Sequence, residues 1–166
     1  IAPAEDAGGN ALYLAQPPGK FLLKEIQNFS ESQTEKMFVE TVYFGGGTPS
    51  FLRTSQLADI LATVFSSFEV KPDAEISLEA NPGTLKKEKV EKLRKSGFNR
   101  ASLGVQSFVD KELKILGRAH NNEQAIKSYK ILRKYFNNLS LDLIFGIPGQ
   151  SLKTWRRNLN MALKLK

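Results

Sequence analysis

The chain has 166 residues, of which 41% are hydrophobic and 25% charged, as in an ordinary folded domain. Its net charge is +7, and it contains no cysteine and one histidine, His120. These counts exclude disulfides, cysteine nucleophiles, cysteine-ligated zinc or iron–sulfur sites and histidine-rich metal centres.

Apolar periodicity and turn residues predict strands and helices in alternation along the chain. In chain order, the predicted elements are a strand over 11–15, a helix over 20–29, a strand over 39–44, a helix from Thr54 to residue 68, a strand over 75–80, a helix from Thr84 to Gly97, a strand over 101–105, helices over 110–116 and 122–136, a strand over 140–146 and a helix beginning at Ser151. Thr54 and Thr84 are the expected N-caps, and Gly97 suits a left-handed helix end. This alternation predicts an α/β domain with a parallel sheet, either doubly wound or part of a (βα) barrel.

The basic excess is concentrated at 86–95 and near the C-terminus. It fits either solvated helix faces or a surface for phosphate or nucleic acid. Aromatic residues are not interleaved with the basic ones, so we expect no nucleic-acid partner. The sequence shows no membrane-spanning apolar run and no secretory signal, which favours a cytoplasmic or mitochondrial location.

Four predicted strands end in glycine or polar residues, at the edge where parallel α/β folds bind ligands. These residues are Gly45, Gly46, Gly47 and Thr48, then Glu79 and Asn81, then Gln106, and finally Asp142. Glycines let a ligand approach the backbone, and carboxylates accept hydrogen bonds from ribose hydroxyls. Structural alternatives remain open: a turn at Gly47, a surface charge at Glu79 and a capping role for Gln106.

Asp142 is the most informative of these residues, because it interrupts the otherwise apolar run SLDLIF. A charge in a buried strand costs several kcal/mol unless it is paired or bound to a ligand. We therefore expect either a ligand or a buried arginine beside it. Arg118 could clamp a carboxylate, or it could be a solvated loop residue. His120 fits a structural hydrogen-bonding role better than that of a catalytic base.

Five motifs, in this order, resemble the radical S-adenosylmethionine (SAM) proteins related to oxygen-independent coproporphyrinogen III oxidase. They are YFGGGTPS (43–50), SLEANPGT (77–84), SLGVQSF (102–108), LGRAH (116–120) and LDLIFGIPGQ (141–150). The likeness is closest to the haem-chaperone branch, which implies binding and transfer of haem to receiving proteins without oxidase activity. The resemblance covers residues 20–166. It implies a partial parallel (βα) barrel of the radical SAM type, truncated before the sixth strand.

The resemblance also implies roles for individual residues. Gly46, Gly47 and Thr48 match the glycine motif that receives the methionine end of SAM. Four further residues match positions that line SAM, namely Glu79, Gln106, Arg118 and Asp142. Tyr13 matches a tyrosine that lies near the iron–sulfur cluster of the family.

The sequence departs from the family over 1–19, which we interpret as a divergent N-terminus. After its first strand the family carries C-x3-C-x2-C, which holds a [4Fe–4S] cluster; this chain has Gln16-Pro17-Pro18-Gly19 there. Without thiolates no cluster can be held, so we expect no radical catalysis and weak or absent SAM binding. If haem binds, His120 and the tyrosines are the available axial ligands.

Two other functions stay open. GGGTPS before a helix could be the phosphate loop of a generic nucleotide-binding module, although it lacks a P-loop lysine and GxGxxG spacing. The chain could also be a non-catalytic interaction fragment that self-associates through an uncapped edge strand at 140–146.

Overall fold

The computed structural model describes residues 19–165, which divide into two compact units. The first contains the described residues up to Glu40 together with Arg53–Ala74, and the second contains Thr41–Leu52 and the described residues from Glu75 onward. The predicted strand over 11–15 lies outside the described residues. The predicted domain boundary at residue 19 coincides with the first described residue. Both stay predictions.

Helices and strands alternate as predicted. They are α1 (Gly19–Glu31), β1 (Phe38–Phe44), α2 (Thr54–Ser67), β2 (Glu69–Ala80), α3 (Lys87–Lys95), β3 (Arg100–Gln106), α4 (Asp110–Ile115), α5 (Asn122–Arg133), β4 (Asn138–Leu143) and α6 (Leu152–Lys164), with a 3-10 turn at Pro49–Phe51. None of the described helices is long and apolar enough to cross a membrane.

The first unit contains α1, α2 and the initial parts of β1 and β2. The rings of Phe29 and Phe68 contact each other within it, with centroids 6.3 Å apart. The predicted cap of α2 was one residue too late, because Thr54 is already helical. The backbone N–H of the residue before it, Arg53, donates to Oε1 of Gln56 at 2.9 Å.

The sheet has the strand order β1-β2-β3-β4, and the pairs β2–β3 and β3–β4 are parallel. Ser102 lies opposite Glu79 on one side and Ser140 on the other. The predicted α/β class with a parallel sheet is therefore confirmed. Because parallel neighbours run in the same direction, the C-terminal ends of β2, β3 and β4 lie at one edge, where the polar residues were expected.

The core of the second unit lies around β3, whose residues 101–105 are all buried. Helices α3 and α5 supply Val90, Leu93 and Leu132, each at most 1% exposed. The 1%-exposed Phe136 follows α5, and the buried Phe98 contacts Phe44 edge-on at 4.9 Å. A fully buried central strand covered by helices is typical of a parallel sheet.

Besides the cap of α2, three predicted boundaries were wrong, the first being the start of β2, which lies at Glu69 and not at residue 75. Thr84 does not cap α3, which begins three residues later; its hydroxyl instead donates to the carbonyl of Asn81 at 2.7 Å and closes a turn. Strand β4 ends at Leu143, not at residue 146, because the chain turns away at Gly146 with φ +78°. Gly97, by contrast, has the positive φ expected at its helix end, and Ser151 caps α6.

Candidate functional site

One cavity of about 190 Å³ lies at the C-terminal ends of the strands of the second unit. Six of the residues predicted to bind SAM line it, namely Gly47, Thr48, Glu79, Gln106, Arg118 and Asp142, whereas Gly46, predicted with them, is not among the lining residues. The lining also includes Pro49, Ala80, Asn81, Ser102 and Gly104. Tyr13, predicted to lie near the family's cluster, is outside the described residues.

The glycine motif forms the loop after β1. Gly46 and Gly47 have φ of +81° and +61°, values that only glycine adopts at little cost. The backbone N–H of Gly46 donates to Oε2 of Glu79 at 3.3 Å, which ties this loop to the end of β2. A 3-10 turn follows at Pro49–Phe51, and α2 begins only at Thr54. The loop does not run directly into a helix, and this disfavours the phosphate-loop alternative.

Glu79 also accepts a hydrogen bond from Tyr43, a contact that sequence reasoning missed. The Tyr43 hydroxyl lies 2.5 Å from Oε1 of Glu79. This bond, followed by burial, raises the pKa of the Tyr43 phenol. The signal that could have found it is the position of Tyr43, two residues before Gly45 on the same strand end. Glu79 is thus oriented from two sides, by a hydroxyl and by a backbone N–H.

Arg118 is half-buried and belongs to a chain of polar contacts. Its guanidinium donates to Oδ1 of Asn81, and Nδ2 of Asn81 donates to Oγ1 of Thr48 at 3.0 Å. The interpretation of Arg118 as a solvated loop residue is therefore wrong. The chain of contacts holds an arginine beside two carboxylates of the same pocket, so the lining carries both signs of charge.

Asp142 differs from expectation, because its side chain is exposed. Strand β4 ends the strand order among the described residues, so the desolvation expected for a central strand does not apply. Asp142 accepts from the hydroxyl of Ser102, at 2.9 and 3.1 Å. The expected buried arginine is not its hydrogen-bonding partner. Arg100 instead donates to Ser77 and Ser140, each at 3.1 Å.

Gln106 has φ +65° and is the sole non-glycine residue with a positive φ in the described part of the chain. Such strain persists only where the surroundings hold it, and it is frequent at binding sites. Two residues earlier, Gly104 faces the same pocket. A Cβ at position 104 would lie 2.9 Å from Nε2 of Gln106 and 3.0 Å from Oδ1 of Asn81. The pocket floor therefore needs glycine to hold these two amides.

His120 is 7% exposed, and its Nε2 donates to the carbonyl oxygen of Val105 at 3.0 Å. Burial, opposed by this bond and assisted by the charge of Arg118, lowers the pKa of the imidazole. These contacts support the structural hydrogen-bonding role. A haem iron could take Nε2 only if the bond to Val105 broke.

Lys89 and Ser50 hold the glycine loop from outside the pocket. Nζ of Lys89 donates to the carbonyl oxygens of Ser50 and Leu52, at 2.5 and 2.6 Å. The Ser50 hydroxyl, 0% exposed, lies 2.7 Å from that of Thr84. The sequence predicted a solvated helix face for Lys89. In a stretch with several lysines, the sequence does not show which side chain points toward the protein interior.

Comparison with known families places the site in context. The pattern of the radical SAM superfamily matches residues 16–162. The chain belongs to the radical SAM superfamily. The predicted resemblance is thereby confirmed, and the pocket occupies the strand edge at which this family was expected to line SAM.

Known radical SAM relatives are similar over most of the chain. It is 36% identical over 156 residues to heme chaperone HemW of Lactococcus lactis, covering 93% of this chain and 41% of that protein. It is 39% identical over 161 residues to the mitochondrial radical S-adenosyl methionine domain-containing protein 1 of Dictyostelium discoideum, covering 88% of this chain and 36% of that one. The chain thus spans well under half the length of these relatives.

Among solved structures, the fold resembles coproporphyrinogen III oxidase (HemN) from Escherichia coli, described as a radical SAM enzyme. The TM-score is 0.78 with 28% identity, over 87% of this chain and 33% of HemN. This likeness confirms a radical SAM fold for the second unit's sheet and helices.

The two cofactors of the family fit these residues differently. A [4Fe–4S] cluster does not fit, because the chain has no cysteine and no cluster of three or more metal-ligating residues occurs in its described part. SAM fits in part, because the pocket is lined by two carboxylates, an arginine and the positive-φ Gly47 of the glycine loop. These groups complement an amino acid end and ribose hydroxyls.

Proposed function

We propose that this chain forms the SAM-binding pocket of a haem-chaperone-like radical SAM protein, without radical catalysis of its own. The observation that supports it is the gathering of six predicted residues in one cavity. Haem binding and haem-receiving partners are proposed from the likeness to heme chaperone HemW, and they concern the whole protein. The name of the Dictyostelium relative supports a mitochondrial location, and a cytoplasmic location stays a prediction from the sequence.

The pocket residues would hold SAM by its polar groups. Gly46, Gly47 and Thr48 would receive the methionine end, and Arg118 would pair with its carboxylate. Glu79 and Asp142 would accept from the amino group or the ribose hydroxyls. A cavity of about 190 Å³ is smaller than the roughly 300–1,000 Å³ of pockets that enclose drug-sized ligands, so only part of SAM would be enclosed. We therefore expect a Kd of about 1 mM, or about −4 kcal/mol.

In the family, the cluster supplies the electron that cleaves the sulfonium bond of SAM. This chain has no thiolate to hold a cluster, so its residues can only bind and orient the ligand. Iron analysis of protein purified without oxygen tests this statement. Stoichiometric iron would contradict it.

Self-association remains a proposal from the sequence. Strand β4 ends the strand order among the described residues, and Phe145 just beyond it is 70% exposed. Light scattering across a hundredfold dilution should show dimers or larger species at the highest concentration. A monodisperse monomer throughout would rule this out.

Calorimetric titration of the full chain with SAM tests the binding proposal. Glu79→Gln and Asp142→Asn should each weaken binding about tenfold, because a charge-assisted hydrogen bond contributes about 1.5–3 kcal/mol. Glu88→Gln is the matched control, since Glu88 is exposed on α3 and does not line the pocket. No heat at 10 mM SAM would refute the proposal. A strong response to ATP or NAD with none to SAM would favour the nucleotide-module alternative.

A further inference from the structure

A second polar cluster lies beside the pocket and is centred on Glu112, in the first turn of α4. Its side chain is charged at neutral pH, yet the residue is only 4% exposed. A buried carboxylate is costly unless hydrogen-bond donors surround it. None of the roles proposed for the SAM pocket uses this residue, so its burial requires another explanation.

Donors from three segments converge on one oxygen of Glu112. Its Oε2 accepts from Oγ of Ser107 at 2.6 Å, from Nδ2 of Asn158 at 3.0 Å and from Nε2 of Gln150 at 3.1 Å. Ser107 follows β3, Gln150 lies in the connection after β4, and Asn158, 0% exposed, belongs to α6. The carboxylate thus joins three segments that are distant along the chain.

The same cluster fixes the backbone after Gln106. The N–H of Phe108 donates to Oδ1 of Asn158 at 2.7 Å, and the N–H of Val109 donates to Oγ of Ser107 at 2.9 Å. Ser107 is therefore bonded to Glu112 and Phe108 to its partner Asn158, while Val109 is bonded to Ser107. They follow directly on the residue with φ +65°.

Gln106 is also held from the side of β4. Its carbonyl oxygen accepts from the N–H of Ile144 at 2.9 Å. Gln150, bonded to Glu112, accepts from the N–H of Gly146 at 2.9 Å. The segment that bonds Gln106 is therefore anchored by a residue of the same cluster. A strained φ persists only where several contacts hold the backbone in place. The cluster around Glu112 restrains Gln106 both through the residues that follow it and through the segment after β4.

We propose that Glu112 is a positioning residue that, through Ser107, Gln150 and Asn158, holds the strained backbone of Gln106 and thereby its amide in the pocket. The expected effect of Glu112 on SAM affinity rests on the proposed function. The expected effect of Glu112 on the backbone of Gln106 rests on the hydrogen-bond geometry alone. Burial is the largest single influence and would raise the pKa of Glu112, but the hydrogen bonds together, led by that of Ser107, outweigh it and lower the pKa, so the carboxylate is ionised at neutral pH.

The affinity test is a double-mutant cycle between Glu112 and Gln106. Glu112→Ala should weaken SAM binding about tenfold and Glu112→Gln, which keeps the shape but loses the charge, about threefold. In a Gln106→Ala background, Glu112→Ala should have no further effect on Kd, although it still lowers stability. If its effects on Kd in the two backgrounds were equal, the positioning role would be overturned.

Hydrogen exchange tests the geometry without any ligand. In Glu112→Ala the amide of Ile144 should exchange at least about tenfold faster than in Leu93→Ala, a core variant of α3 used at matched stability. Equal rates would overturn the inference even if SAM binds. If SAM does not bind but Ile144 is selectively exposed, the proposed function fails and the positioning role stands. Glu112→Gln serves for both measurements if Glu112→Ala does not fold.

Discussion

The hydroxyl of Ser102 donates to both carboxylate oxygens of Asp142, at 2.9 and 3.1 Å. Ser102 accepts in turn from the hydroxyl of Ser140, at 3.0 Å, directly across the β3–β4 pair. The guanidinium of Arg100 donates to Ser140. A row of hydroxyls thus joins a buried face of the sheet to the pocket carboxylate, and it restricts the orientation of Asp142.

Ser102→Ala removes the donor to Asp142 and should weaken SAM binding about threefold, because the carboxylate is no longer oriented. It should also lower the free energy of unfolding by about 0.5–1.5 kcal/mol, the usual net contribution of a hydrogen bond. Calorimetric titration and urea denaturation measure the two effects. Ser140→Ala is the control, since it removes the donor to Ser102 and the acceptor for Arg100 but leaves the bond between Ser102 and Asp142. Unchanged affinity in Ser102→Ala would show that Asp142 needs no orientation.

Lys89→Met should lower the free energy of unfolding by about 1–3 kcal/mol, because it leaves the shielded carbonyls of Ser50 and Leu52 without their donor. Burial of the ammonium lowers the pKa of Lys89, which is consistent with an inward-facing group. Lys92→Met on the same helix is the matched control. Lys92 is exposed, so its change should stay within about 0.5 kcal/mol. Similar losses in both variants would contradict the anchoring role.

Two glycine substitutions should separate pocket shape from backbone strain. Gly104→Ala forces the amides of Gln106 and Asn81 aside and should reduce SAM affinity, with little loss of stability, because flexible side-chain ends can move. Gly83 has φ +85° and open space around its Cβ position. Gly83→Ala should therefore cost about 1 kcal/mol of stability and leave affinity unchanged. Thermal denaturation measures the stability of both variants, and calorimetry measures their affinity for SAM. If stability and affinity changed to the same extent in both variants, the prediction would be refuted.

His120 predicts a pH dependence of stability. Its pKa is lowered from 6.5 in the folded state, first by burial, so below pH 6.5 the unfolded chain binds a proton that the folded chain does not. Stability therefore falls as pH drops from about 6.5 through the lower folded pKa. Urea denaturation at pH 7.5, 6.5, 5.5 and 5.0 should show a steeper loss in the wild type than in His120→Gln. Identical slopes would mean that His120 titrates alike in both states.

The alternation of elements was predictable because apolar spacing, together with turn and capping residues, distinguishes strand from helix. The end of β4 was not, since LIFG reads as strand while Gly146 turns the chain with φ +78°. The cap at Thr84 was wrong because its hydroxyl bonds to Asn81 and Ser50 instead of the helix. Local chemistry identifies a residue that can cap a helix, but it does not show that a neighbouring turn carbonyl, here that of Asn81, and a distant hydroxyl, here that of Ser50, compete for the same side chain.

For the site, residue type and strand ends were sufficient to predict six lining residues, namely Gly47, Thr48, Glu79, Asn81, Gln106 and Asp142, whereas the family resemblance assigned Arg118 to the SAM site. The exposure of Asp142 could not be predicted, because it depends on which strand stands last in the sheet. Ser102 was missed for a related reason, because it meets Asp142 only through the register of β3 and β4, which no stretch of sequence displays. Tyr43 was missed although its position near the end of β1 was a usable signal. The burial of Glu112 likewise needed α6 and the connection after β4 to be in place.

The positive φ of Gln106 has a consequence for how this position responds to selection. Glycine at 106 would relieve about 1 kcal/mol of backbone strain while deleting the amide that lines the pocket. A screen that rewards heat resistance alone would therefore favour Gln106→Gly and would discard ligand recognition with it. Persistence of glutamine at this position in a heat-selected library would indicate that the screen also retained binding.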